Sequence, residues 1–137
     1  MPQNTTIVLK DGVATPVNHS FVPKGPIGSN GEYVFRDSLG TITFDGGQAM
    51  LSVERRPLAS SSPTEKVRLK IALPLVTTQI VNGVSQDVVA YSDLCTIETV
   101  LSKTSSKARR KDLLAYAASA LAAASIQSVV VDGEAFW

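Results

Sequence analysis

Apolar and polar positions alternate most cleanly in EKVRLKIAL, residues 65–73. Val67, Leu69, Ile71 and Leu73 are apolar; Lys66, Arg68 and Lys70 are the cations between them. A period of two predicts a strand with one face buried and the other open. Related patterns run through most of the chain before residue 102. Residues 5–10 read as a strand, Asp11-Gly12 as a tight hairpin turn and residues 13–22 as its return, with Pro16 marking an edge. Residues 23–31 (PKGPIGSNG) read as loop, and residues 32–36 and 41–44 as short strands. From Leu51 the alternation puts Leu51, Val53 and Arg55 on one side and Ser52, Glu54 and Arg56 on the other. Residues 57–64 form a polar, proline-bounded turn, and the strand that follows ends near Pro74. Residues 75–81 and 88–101 are β-rich, with Asn82-Gly83 between them. The polar stretch 77–87 suggests a hairpin tip longer than Asn-Gly alone requires. In the last strand Val89, Tyr91, Cys95, Ile97 and Thr99 share one side, while Ala90, Ser92, Leu94, Thr96 and Glu98 share the other.

The period changes after Leu101. Thr104, Ser105 and Ser106 are candidate N-caps for a helix over residues 107–124, where Leu114, Ala117, Ala118 and Leu121 form one stripe. Ser125 is placed to cap a second, shorter helix over residues 126–131. Antiparallel strands followed by helices give an α+β fold, with the helices on one face of the sheet. The side of Val67, Leu69 and Ile71 is the apolar face available to them, which leaves Lys66, Arg68 and Lys70 open. The chain reads as a single domain over residues 1–137: an N-terminal hairpin (1–22), a sheet (32–101) and helices (104–131). One long helix and one short one leave apolar sheet surface uncovered, and residues 88–101 look like an edge. Pairing that edge with a second copy about a twofold would remove both defects.

Composition narrows the function mostly by exclusion. The single cysteine, Cys95, permits neither an internal disulfide nor a cysteine metal cluster. On the apolar side of its strand it is expected to be buried and inert. A reducing compartment is the simplest setting. No signal peptide is evident, and no apolar run approaches the length of a membrane-spanning helix. His19, the sole histidine, reads as a polar surface residue. No zinc-protease, phosphate-loop or nucleophile-elbow motif is present. The reading is therefore not an enzyme, with no catalytic residues, no cofactor and no metal.

The net charge of +1 hides a concentration of cations. Ten of the 13 lysines and arginines lie between Arg55 and Lys111. One cluster is Lys66, Arg68 and Lys70, extended by Arg56 from the neighbouring strand. Alternate residues on a strand stand about 7 Å apart, close to a phosphate repeat. The pattern leaves a nucleic-acid face and a solvated face level. The second cluster, Lys107, Arg109, Arg110 and Lys111, opens a helix and reads as a solvated end or a contact between subunits.

The ordered set of segments resembles the coat proteins of single-stranded RNA bacteriophages, the levivirus type. VRLKIALPLVTTQIVNGVSQDVVAY (residues 67–91) resembles that family's strand, proline-containing turn, Val-Gly-rich loop and return strand. SNGEYVFRDS (29–38), LSVERR (51–56) and TSSKARRKDLLAYAASAL (104–121) resemble its flanking strands and first helix. The resemblance implies an N-terminal hairpin, a five-stranded antiparallel sheet, two C-terminal helices and an interlocked dimer with one continuous sheet. It implies icosahedral T=3 shells, assembled in the bacterial host cytoplasm, with the sheet facing genomic RNA. It also implies an RNA hairpin bound as translational repressor and packaging signal, and a phage maturation protein as partner, with no membrane involved. Ser52, Arg68, Lys70, Leu94 and Thr96 fall where the family's sheet contacts RNA, and the basic pattern adds Arg56 and Lys66 to that RNA-binding face. Thr77, Thr78, Asn82, Gly83 and Gln86 fall in the loop that meets its copies at the shell's vertices. Leu94 stands where a base-stacking tyrosine can be, and Glu54 where an arginine can be. Loss of the aromatic removes a contact of about 1–3 kcal/mol. The alternative class is a dimeric RNA-binding β-sheet regulator that forms no shell.

Overall fold

The computed structural model describes residues 5–27, 31–38, 42, 44–56, 61–133 and 135. The chain divides into two compact units, residues 1–100 and 101–137. The first is a six-stranded sheet in sequential order: β1 (Ile7–Lys10), β2 (Asn18–Ile27), β3 (Glu32–Asp37), β4 (Met50–Arg56), β5 (Thr64–Val81) and β6 (Val84–Ser102). The N-terminal hairpin is thus part of the sheet, where five strands and a separate hairpin were expected. The pairing of β2 with β3 from Phe21↔Asp37 to Ile27↔Glu32 joins them.

Register sorts the side chains. Phe35 lies opposite Leu51, and Leu51 opposite Ile71; beside this row, Tyr33, Val53 and Leu69 form another. Directly opposed residues share a face, so these rows make one apolar surface. Phe21, Phe35 and Leu51 are its buried centre, with Ile7, Leu9, Tyr33, Ala49, Val53, Leu69 and Ile71 packed around them. The rings of Tyr33 and Phe35 lie 6.4 Å apart and tilted. A short 3-10 turn, Asp45–Gly47, is tied down by Arg36, whose Nη1 donates to the Asp45 carbonyl at 2.6 Å. A Cβ on Gly47 would come within 2.6 Å of side-chain atoms of both Ile42 and Phe44, so any larger residue there would displace them.

Several boundaries differ from the sequence reading. Residues 11–17 form a wider loop than the Asp-Gly turn expected, and Pro16 sits in that loop and not in an edge strand. The Asp11 side chain closes it, accepting from the Val17 amide at 2.9 Å, while the Asp11 amide donates to the Val17 carbonyl at 3.2 Å. Residues 23–27, read as loop, continue β2 past a bulge between Pro23 and Gly25. Both prolines of this stretch lie beyond Phe21, the last residue of β2 paired with β1, where among the described residues β3 is the partner. The short strand expected over residues 41–44 falls partly outside the described residues; Ile42 and Phe44 are not in a strand.

β5 does not stop at Pro74 but runs on to Val81. Asn82 (φ 52°) and Gly83 (φ 79°) then turn the chain directly into β6, so the tip is short and not long. Two successive positive φ angles are what this turn demands, and Asn-Gly supplies them most easily. Beyond the turn Thr78 Oγ1 donates to Asp87 Oδ1 at 2.8 Å, as direct opposition requires. Counted on without interruption, Glu98 would fall opposite Val67, on the apolar side. It meets Lys66 and Arg68 instead. Cys95, expected to be buried, is exposed. It lies on the last strand of the sheet order, where β6 has a neighbour on one side only.

The second unit holds α1 (Lys107–Ala122) and α2 (Ala124–Val131). Of the three candidate caps Ser106 is the one used, its Oγ accepting from the Arg109 amide at 3.3 Å. α2 begins two residues earlier than expected, with Ala123 and not Ser125 at the cap position, and with no side-chain cap bond. Leu113, Leu114, Tyr116, Leu121, Val130 and Val131 are all exposed.

His19 is not a bland surface residue. Its Nδ1 lies 2.6 Å from Asp37 Oδ2 and its Nε2 lies 3.3 Å from Asp11 Oδ2. The bond to Asp37, then that to Asp11, raises the imidazole pKa above its ordinary value. The Val17 amide above all, with His19 assisting, lowers that of Asp11. A raised folded pKa contributes stability below the unfolded value, about 6.5, and loses it as pH rises through the folded value. Thermal unfolding followed from pH 6 to 8.5 is thus expected to show the wild type losing stability relative to His19→Gln; a constant difference between them would contradict the bridge. Leu51→Ala, in the buried centre, is expected to lower the unfolding free energy by about 2–5 kcal/mol in denaturant titration.

Candidate nucleic-acid interface

The opposite face of the same strands carries the charged rows. Val34, Ser52 and Lys70 lie opposite one another across β3, β4 and β5. Glu32, Glu54 and Arg68 form the next row, and Arg56 faces Lys66 in the one after. Val34 and Ser52 are buried, small side chains among long ones. This register brings Ser52, Arg56, Lys66, Arg68 and Lys70 together on one surface, as alternation within each strand had suggested.

Most of these cations have carboxylate partners. Lys66 Nζ and Arg68 Nη2 donate to the two oxygens of Glu98 on β6, at 3.1 and 2.9 Å. Arg56 Nε donates to Glu54 Oε1, and Arg68 Nη1 lies 3.7 Å from the other Glu54 oxygen. Glu98 is held below the usual carboxylate range by the Arg68 bond first and the Lys66 bond next. Arg68 is raised correspondingly, chiefly by Glu98. Lys70 enters no ion pair among the described residues. The two readings weighed for this face, phosphate or solvent, thus both missed an internal partner for most of the charge.

Leu94 and Thr96 are exposed on β6, and alternation places them on the side of Glu98. They therefore border the cationic rows. Glu54 and Glu98 are the members that sequence reasoning underused. Alternation puts Glu54 beside Ser52 and Arg56, and Glu98 beside Thr96, but the sequence reading assigns neither carboxylate a cation. Both were within reach, because a hairpin register sets Glu54 opposite Arg68 and alternation sets Glu98 beside Thr96. Thr77, Thr78, Asn82, Gly83 and Gln86 gather at the far end of the β5–β6 hairpin and lie apart from this face. The tip is apolar as well as polar: Ile80, Val81 and Val84 are exposed. The second basic cluster lies in the helical unit, where Arg110 Nη2 donates to the Ser102 carbonyl at 2.9 Å and Lys107, Arg109 and Lys111 are exposed.

Similarity to known proteins places the chain in a family. Residues 2–137 match the sequence profile described as levivirus coat protein. The capsid protein of Pseudomonas phage PRR1 is 31% identical over 121 residues, covering 88% of this chain and 87% of that protein. Among solved structures, the virus-like particle of bacteriophage ESE058 superposes with a TM-score of 0.87 at 26% identity, over 99% of this chain and 100% of its own. The capsid protein of bacteriophage GA shares the fold, with a TM-score of 0.76 at 20% identity over 97% of both chains. With the profile matched almost end to end, and the sheet and helices superposing over the same span, the chain belongs to the levivirus coat protein family: it is a phage capsid protein, a structural part of the virion.

Proposed function

We propose that this chain forms a homodimer along β6, and that the dimers close into an icosahedral shell around single-stranded genomic RNA, with the charged sheet face inward. The observation that carries the reading is the sorting of β3–β5 into an apolar face and a cationic one, next to a long edge strand. β6 spans 19 residues, ends the sheet order and exposes Val84, Val89, Tyr91, Leu94 and Val100. An edge of that length and character needs cover. A second copy paired about a twofold provides it and continues the sheet, and the exposed apolar side chains of α1 and α2 gain a surface to cover in the partner. On this reading both units belong to one coat-protein domain over residues 1–137, which the span of the family match supports. The solved particles of relatives such as ESE058 support assembly beyond the dimer, here with T=3 geometry.

The same face is the reading's site for an RNA hairpin that represses translation and marks the genome for packaging. Lys70, outside the ion pairs, and the neighbouring Ser52 and Thr96 are the groups best placed to contact RNA directly. Arg56, Lys66 and Arg68 add charge that needs no base readout. Leu94 offers apolar contact in place of stacking. A maturation protein is the further partner that such a shell would carry. The β5–β6 tip, with Thr77, Thr78, Asn82, Gly83 and Gln86, is the proposed vertex contact.

Electron microscopy of the expressed protein tests assembly: shell-like particles with strong nucleic-acid absorbance are expected. A clean dimer that forms no particles would overturn the shell and favour a non-assembling RNA-binding regulator. Residues inserted between Asn82 and Gly83 are expected to spare the dimer in size-exclusion chromatography and to disturb particle size or closure. Normal particles would remove the tip from the vertices. Lys70→Ala is expected to weaken hairpin binding and to lower the salt slope by about 1; an unchanged slope and affinity would remove Lys70 from the interface.

A further inference from the structure

The charged face carries more carboxylate than a phosphate-binding surface calls for. Arg56, Glu54, Arg68, Glu98 and Lys66 form one chain of alternating sign across β4, β5 and β6. Its two carboxylates differ in what surrounds them. The Glu54 side chain is 8% exposed and the Glu98 side chain 34%. A buried carboxylate deprived of its cations is strongly disfavoured, so Glu54 keeps Arg56 and Arg68 near it. Glu98 is open to solvent, and it can release its cations without leaving an uncompensated buried charge. Yet while it holds them, Lys66 Nζ and Arg68 Nη2 are directed at Glu98 oxygens and not outward.

We infer that Glu98 is an intramolecular competitor for RNA phosphate, a residue that sets how much of the basic face a polynucleotide can use. The inference rests on the reading of this face as the RNA side. With Glu98 in place, a phosphate approaching Lys66 or Arg68 must share donors with a carboxylate that repels it. Lys70 is then the cation of this group free to act from the start. Part of the sequence-independent attraction is suppressed. What remains depends more on contacts that a particular RNA can offer, because phosphate contacts position a nucleic acid while base contacts distinguish it.

Glu98→Gln removes the charge at nearly constant shape. The probe is a fluorescently labelled oligouridylate, which has no hairpin to recognise, bound to the full-length unassembled protein over a salt series. Each phosphate neutralised on a single strand contributes about 0.7 to the salt slope. Glu98→Gln is expected to bind several-fold tighter at low salt, with a slope steeper by up to about 1.4 for the two cations freed. Glu98→Asp keeps the charge and is expected to stay close to the wild-type slope. Lys70→Ala is expected to bind more weakly with a shallower slope. If Glu98→Gln binds no tighter, with the wild-type slope, while Lys70→Ala still weakens binding, the competitor role is overturned and the RNA face stands. If wild type and both charge variants bind alike, the RNA reading of the face falls with it. Unfolding midpoints measured in parallel separate a loosened fold, which would flatten the slope, from freed cations, which steepen it.

Discussion

A side chain on a strand has two faces to choose from, and the register of β3, β4 and β5 makes that choice for most of the protein. The pairs Phe35–Leu51–Ile71 and Tyr33–Val53–Leu69 stack apolar groups into rows, and the intervening residues have no option but to form Val34–Ser52–Lys70 and Glu32–Glu54–Arg68 on the reverse. A slip of one residue at any of these pairings would place lysine and arginine in the core and leucine outside. Burial of Phe21, Phe35 and Leu51 is what holds the register, because only one alignment brings all three together. The charged face is in that sense a consequence of the core.

What the face then does is decided by proximity across strands. Residues far apart in the chain, Lys66 and Arg68 on one strand and Glu98 on another, meet within about 3 Å. The result is a surface of nearly balanced charge, with Lys70 in no ion pair among the described residues, in place of the uniformly basic strip suggested by Lys66, Arg68 and Lys70 alone. The partly exposed pairs with Glu98 contribute little to stability, since solvent screens them. Their weight falls on what the cations are free to bind. Structural ion pairs and ligand contacts draw on the same donors, so on the proposed RNA reading the face's hold on phosphate is tuned by its acidic residues as well as its basic ones.

The edge of the sheet supplies the other constraint. β1 is short, and among the described residues the outer part of β2, with Pro23 and Pro26, pairs with β3 alone. Prolines and a bulge are well-known means of keeping such an edge from pairing. β6 carries no proline, is long and exposes apolar side chains. The two edges are therefore chemically unlike, one blunted and one receptive. That asymmetry supports association along β6 and not along the N-terminal hairpin.

Local rules determined a large share of this. Alternation placed β3, the later part of β4 and the first half of β5. Helix propensity placed α1, with its start at Lys107. The shared sides of Leu51 and Val53, and of Ser52 and Arg56, follow from period two alone, as does the grouping of Lys66, Arg68 and Lys70. The ordered resemblance carried the family and its architecture. Where the tertiary structure overruled local signals, the reason was pairing between strands. Asp11-Gly12 promised a tight turn, but a side-chain bond closes a wider loop. Pro23 and Pro26 argued against a strand that β3 nonetheless stabilises, and Pro74 argued for an end that does not come. The His19 bridge to Asp11 and Asp37 and the pairing of Glu98 with two cations depend on which residues are brought opposite which, and the exposure of Cys95 depends on what covers its side of β6. A single strand holds no information on its neighbour's phase, so which side chains meet across the sheet is decided only when the strands pair.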